Sequence, residues 1–135
     1  MMKTHELRIN KRFEQVLEHA RDAIRQSGFL VLHEINTAAI MRGAGYVVGE
    51  VRQLLFFHPR YMIVILERDP ASVIRAPLKI VVQSVSEDET MVTYVHPDDL
   101  FADKAVLKVM AAELGKQVDE IAGSLRVNAG RHIGV

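Results

Sequence analysis

The chain contains neither cysteine nor tryptophan. Without thiols there can be no disulfide, thiolate metal site, iron–sulfur cluster or cysteine nucleophile. Neither sign of charge dominates either: 17 basic residues balance 17 acidic ones, for a formal net charge of zero. Nucleic-acid binding rests mainly on phosphate neutralisation and normally leaves a basic excess, so nucleic acid is not an expected partner. The same balance argues against a polybasic membrane anchor. Long apolar runs are missing as well. The longest, Tyr61 to Leu66, falls far short of the roughly 18 residues of a membrane span. The opening stretch from Met1 to Leu7 is polar and lacks the apolar core of a signal peptide. A cytoplasmic location with no membrane partner is therefore the expectation.

Recognisable catalytic spacings are also absent. Of the six histidines, His5, His19, His33, His58, His96 and His132, no two stand in an H-x-H, H-x-x-x-H or H-E-x-x-H arrangement. Neither a metal nor another cofactor is expected. No serine sits in a G-x-S-x-G elbow. Gly43, Gly45 and Gly49 only superficially resemble a dinucleotide-binding loop, because they do not directly follow a strand. They read as a flexible loop, which could act as a lid over a pocket. The acidic runs Glu87-Asp88-Glu89 and Asp98-Asp99 fall in turns, where solvation leaves a carboxylate nothing to make it a general acid.

What the chain does have is patterned hydrophobicity. At 135 residues it suits one domain, and 49% hydrophobic with 25% charged residues is close to a globular average. Thr4 to Ile9 alternates like a short strand. Asn10 can cap a helix over Lys11 to Gln26, which places Phe13, Val16, Leu17, Ala20, Ala23 and Ile24 on one face and ends at Gly28. Phe29 to Ile35 reads as a strand with two apolar faces, predicted to be covered on both sides. Asn36 and Thr37 can cap a short helix through Ala38 to Met41. Glu50 to Phe57 is a strand, and Pro59 suits the first turn of a helix. The run from Tyr61 to Leu66 is strand by its β-branched content and helix by its flanking prolines; all six residues are expected to be buried. Leu78 to Ser84 and Thr90 to Val95 form a hairpin around the acidic turn. A last helix is expected from Asp103 to Ser124, with Val106, Met110, Leu114, Val118, Ile121 and Leu125 as its apolar stripe. Residues 1–127 then make a single α+β domain: a mixed or antiparallel sheet of about five strands with two main helices packed on one face. Asn128 to Val135 is expected to be a flexible tail.

In their order, these landmarks resemble the domain of unknown function 302 family. The matching text is the Phe13–Ile24 helix, Gly28-Phe29 opening a strand, Glu34-Ile35-Asn36 closing it, the aromatic strand ending at Phe57-His58-Pro59, Ala76-Pro77, and the hairpin ending at His96-Pro97. The family usually carries Asn-Pro where this chain has His58-Pro59, and Leu-Pro where it has Ala76-Pro77. The resemblance covers roughly Phe13 to Leu125. It implies a TATA-binding-protein-like α+β fold and dimers, and it brings no settled biochemical activity.

His58 is the leading candidate site residue, because it ends a strand just before a helix start, a common ligand position. Arg60, His33, Tyr94 and His96 would join it if the fold brought them together around an otherwise apolar cavity. The plain alternative is that His58 only caps the helix. Two-faced apolar strands and the Tyr61–Leu66 run predict a symmetric homodimer. Three functions fit these residues. The first is a homodimeric binding module for a small apolar or anionic ligand near His58. The second is an enzyme using His58 or His96 for acid–base chemistry with Tyr94. The third is a purely structural dimerisation domain.

Overall fold

Period-two alternation in the strands separates one face from the other, and the sheet follows from it. A computed structural model describes the backbone of residues 3–131 and the side chains of residues 3–126. The strands are β1 (Thr4–Ile9), β2 (Leu30–Asn36), β3 (Val51–Phe57), β4 (Leu78–Ser86) and β5 (Glu89–Val95). The helices are α1 (Phe13–Gln26), α2 (Thr37–Gly43), α3 (Pro59–Arg68), α4 (Pro97–Leu100) and α5 (Lys108–Arg131). Short 3₁₀ segments at Pro70–Arg75 and Ala105–Leu107 join them. The strands form one sheet in the order β1-β5-β4-β3-β2, every neighbouring pair antiparallel. The expected choice between mixed and antiparallel pairing thus resolves to antiparallel.

Residues directly opposite on paired strands share a face. Leu7 faces Val92, Val92 faces Val82, and Ile80 lies between Tyr94 and Leu54. All are buried, together with the apolar stripes of α1 and α5, in one core. Their opposite numbers, Leu55, Val81, Thr93 and Val95, are half-buried on a face that neither α1 nor α5 covers.

The local signals were met in most places. Asn36 caps α2, its side-chain oxygen accepting from the Ala39 amide at 3.0 Å. Gly28 ends α1 with φ of +88°, a left-handed value that glycine adopts without strain. The Tyr61–Leu66 run is helical, within α3, and Pro59 sits in its first turn.

Four expectations fail. Helix α1 begins at Phe13 rather than Lys11, because the buried Thr90 hydroxyl donates to the Lys11 carbonyl at 2.8 Å and holds that residue in a turn. Helix α5 begins at Lys108 rather than Asp103, which is instead gripped by both terminal nitrogens of the Arg75 guanidinium, one of which also reaches the Leu100 carbonyl. Val106 consequently lies outside the buried stripe and is exposed. Helix α5 runs to Arg131, and residues 132–135, the end of the expected tail, lie outside the described residues. Of the Tyr61–Leu66 run, only Tyr61 and Ile65 are buried, because a helix turns Ile63 and Leu66 outward.

The fourth failure concerns β2. It is an edge strand, and one residue in it is extra: Val31 pairs with Phe56 and His33 with Leu55, leaving Leu32 unpaired in a β-bulge. The bulge shifts the alternation, so that Val31 and Glu34 share the core side while Leu30 and His33 share the other. Glu34 thereby meets Arg21 of α1 in a two-pronged ion pair at 2.7 and 2.6 Å. Leu30 and Leu32, expected to be covered, are each 53% exposed.

Four carboxylates owe their acidity to such ties, Glu50 among them through hydrogen bonds from Arg52 and Arg42. The hydrogen bond from Arg21 holds Glu34 below its usual value against its partial burial. Hydrogen bonds from Ser72 and Lys104 lower Asp69. The Arg75 fork brings Asp103 down to about 2. A carboxyl more acidic in the folded state than in the unfolded chain stabilises the fold above its unfolded value of about 4 and loses that contribution as pH falls through the folded value. The urea midpoint should therefore hold steady from neutral pH to about pH 5 and drop between about pH 4 and 2. Arg75→Ala should remove the Asp103 share of that drop, and an unchanged acid limb in this variant would exclude the pair as a contributor.

Candidate functional site

The bulge in β2 and the outward side of α3 together make a groove. It is lined by Leu30, Leu32, Phe57, His58, Pro59, Met62, Ile63 and Leu66 and holds about 450 Å³. Small-molecule pockets run from roughly 300 to 1,000 Å³ and are mostly apolar with a few placed polar groups. Ile63 and Leu66 are 51% and 49% exposed, comparable to the two leucines across the groove. His58 is the polar side chain among these lining residues. A wider hollow of about 560 Å³ beside α4 and the start of α5 carries Asp98, Lys104 and Lys108 among small alanines, and Lys104 is already paired with Asp69 at 3.3 Å.

His58 does cap α3, as the plain alternative held: its Nδ1 accepts from the Arg60 amide at 3.0 Å. Its ring also stands edge-on to Phe29 at 6.1 Å and to Tyr61 at 5.8 Å. Arg60 turns away from the groove. Its guanidinium lies 5.0 Å from the Tyr61 ring centre and donates to the Tyr61 hydroxyl at 2.8 Å. With the Gln117 amide nitrogen directed at the Ser27 carbonyl (3.2 Å), the Gln117 oxygen accepts from the Tyr61 hydroxyl at 3.1 Å and from Arg60 at 3.3 Å. This network locks the start of α3 to the end of α1 and the middle of α5.

Tyr94 and His96 stand in a second cluster. His96 caps α4 with the same device as His58, Nδ1 accepting from the Asp98 amide at 3.1 Å. Its Nε2 must then carry the proton of the neutral ring, and it lies 3.1 Å from Asp119 Oδ1 on α5. His5 of β1 stacks on Tyr94 at 5.3 Å, sits 6.0 Å from the His96 ring and approaches Asp99 at 3.7 Å. Burial, with a smaller push from Asp119, raises the Tyr94 phenol above its usual value. His33 is exposed on β2, beside Leu55 on the uncovered sheet face.

The five residues picked from sequence thus do not converge on one site. His58 lines the groove, Arg60 faces Tyr61 and Gln117, His33 is on the uncovered sheet face, and Tyr94 and His96 both lie beside His5. Among the described residues, no group of three or more metal-ligating side chains could hold an ion. The Gly43–Gly49 loop is tied down by Arg42, which reaches the Val48 carbonyl at 3.1 Å and Glu50 at 3.3 Å, and it contributes nothing to the groove lining. Sequence reading missed His5 and Asp119, which lie far apart in the chain, and the four exposed aliphatic residues of the groove.

A family model described as a domain of unknown function, DUF302, matches residues 5–125. The chain belongs to the DUF302 family. Among solved structures, a crystal structure of an uncharacterised conserved DUF302 protein from Bacillus stearothermophilus is similar over 93% of this chain and 98% of that one. The TM-score is 0.79 at 19% sequence identity, a likeness of fold. No curated protein matches. The DUF302 fold expected from the landmarks is therefore the fold found, with helices packed on a five-stranded antiparallel sheet. No helix among the described residues is long and apolar enough to cross a membrane.

The second cluster makes one position unusually intolerant. Gly115 of α5 lies against the His96 ring, and a Cβ there would stand 2.5 Å from Cε1. Both ring nitrogens are engaged, so the ring cannot step aside cheaply. Gly115→Ala should cost about 1–3 kcal/mol despite the better helix propensity of alanine. In a His96→Ala background the same change should be neutral or mildly stabilising. Urea unfolding of the four proteins in a double-mutant cycle measures the coupling, and additivity would show that the two residues do not press on each other.

Proposed function

We propose that the protein is a homodimeric binding module whose groove between β2 and α3 holds a small, mostly apolar ligand. The observation that carries this is the groove itself: aliphatic side chains on both walls stand half in water beside one histidine, in a volume suited to a small molecule. Leu30 and Leu32 would be costly to leave bare if nothing ever covered them. Of the apolar and anionic ligands that the residue pattern suggested, an apolar body is favoured, because Arg60, the nearest arginine in sequence, is engaged with Tyr61 and Gln117.

The dimer belongs to the other uncovered surface. There Leu55, Val81 and Val95 are half-buried beside Thr93, with Lys79 opposite Leu55 and Gln53 opposite Val81. A sheet face of mixed polarity suits a second protein surface as a concave groove suits a small ligand. The cytoplasm is the compartment that fits a chain without cysteine.

Acid–base catalysis ranks below binding. Both nitrogens of His96 are occupied within the chain, and the Tyr94 phenol is buried and less acidic than usual. A general acid needs a proton within reach of its substrate.

Nile red, an apolar dye that brightens out of water, tests the groove. It should bind saturably, and Leu32→Glu should weaken it roughly tenfold or more by placing a charge in an apolar site. Because Leu32 is already exposed, the fold should survive the change. Absent or unaltered dye binding would refute the groove reading. Light scattering on a sizing column tests the dimer separately. The wild type should elute at twice the 15.2 kDa chain mass, and Val81→Arg should elute as the single chain. A wild-type monomer at micromolar concentration would end the dimer proposal, whereas a dimer that takes up no dye would leave a purely structural dimerisation domain.

A further inference from the structure

The walls of the groove are apolar, and the open polar groups beside it belong to the main chain of β2. That strand forms one edge of the sheet and pairs only with β3. Among the described residues, Leu30 to Ile35 make no backbone hydrogen bond to any other element. An edge strand directs the N–H and C=O of every second residue outward, so β2 presents a row of unpaired donors and acceptors. Leu30 and Leu32, on this same strand, form one wall of the groove. The opposite edge of the sheet is guarded. There β1 alternates Glu6 and Arg8 with buried Leu7 and Ile9, and charges on an edge strand discourage the addition of another strand. On β2 the outward side chains of Leu30 and Leu32 are exposed and uncharged.

Main-chain groups repeating at the strand period select a ligand whose own main chain has that period. We propose, on the basis of the groove reading above, that β2 and the groove together bind an extended peptide segment of another protein with aliphatic side chains at alternate residues. Its backbone pairs with the free edge of β2, and its aliphatic side chains rest on Leu30, Leu32, Ile63 and Leu66. The ladder of hydrogen bonds supplies affinity for any extended backbone, and the apolar walls select the alternation. The bulge at Leu32 favours a separate peptide over the flat edge of a second sheet, because it increases the local twist and a short free strand can follow that twist.

The probe is the peptide acetyl-Lys-Leu-Thr-Leu-Thr-Leu-Lys-amide with fluorescein on one lysine, added to the wild-type protein and followed by fluorescence anisotropy. It should bind saturably and displace Nile red. An isomer with its leucines adjacent should bind roughly tenfold or more weakly, because successive side chains of a strand point to opposite faces. Two further peptides carry N-methyl groups, one on its leucines and the other on its threonines, so that each blocks one edge of the strand. One of them should lose roughly tenfold or more in affinity and the other should keep it, since the peptide meets β2 through one edge only. Hydrogen exchange, which needs no variant, should slow at the β2 amides that point away from β3 when the unmodified peptide is saturating. Equal binding of the two N-methylated peptides, unslowed β2 amides at saturation, or Nile red binding with no peptide binding would overturn the strand pairing while leaving an apolar groove. Protection of those amides before any peptide is added would assign the edge to a second copy of the chain and equally overturn the proposal. Failure of both the peptide and Nile red to bind would overturn the groove reading as well.

Discussion

Leu7, Leu54, Ile80, Val82 and Val92 exclude water only because α1 and α5 lie across them. Burying such side chains is worth about 1.5–3 kcal/mol each, more than any polar contact described here. The position of every functional group follows from that two-helix cover. Helix α1 runs from the end of β1, at one edge of the sheet, to the start of β2, at the other. Its length brings Arg21 over Glu34, and its glycine end brings Gly28 beside His58. Helix α5 supplies Gln117 to Tyr61 on one side and Gly115 and Asp119 to His96 on the other. Side chains that touch neither a ligand nor each other are thus held in place by one apolar layer.

The two histidine–proline steps show how one local device acquires different uses. His58-Pro59 and His96-Pro97 each end a strand, and each ring caps the following helix through Nδ1. The backbone solution is the same because proline at the first helical position leaves the next amide in need of an acceptor. What differs is the neighbour at Nε2. At His96 a carboxylate from α5 closes the network and makes the ring a structural pin. At His58 the ring instead packs edge-on against Phe29 and Tyr61, with Gly28 beside Nε2.

Order and type of the elements were legible because the signals are local. Asn36, Gly28 and Pro59 act within a turn of themselves, and the stripe from Phe13 to Ile24 repeats at helical spacing. What escaped was set by partners far along the chain. Nothing near Leu32 announces a bulge, whose purpose is to turn Glu34 toward an arginine thirteen residues earlier. Nothing near Asp103 reveals that Arg75 will take it out of a helix. The same limit applied to the site. His58 could be picked out because a histidine before proline at a strand end is a local pattern. The groove could not, since its walls come from a strand and a helix separated by another strand, and Ile63 and Leu66 are facing outward only because the run is helical. His5 and Asp119 join His96 from opposite ends of the chain, with no shared pattern to connect them.

The strand order also has a consequence for how the molecule is made. From β2 onward each strand pairs with the next in sequence, but β1 must wait for β5, so Thr4 meets Val95 across almost the entire sheet-forming chain. A polypeptide emerging from the ribosome amino end first holds its earliest strand unpaired until the latest has been synthesised. Closing so long a segment is entropically slow compared with zipping neighbouring strands. During that interval an apolar strand exposed at its edge would be free to pair with other chains. The charges of Glu6 and Arg8, alternating with Leu7 and Ile9, give that waiting strand a polar side and guard it against premature association.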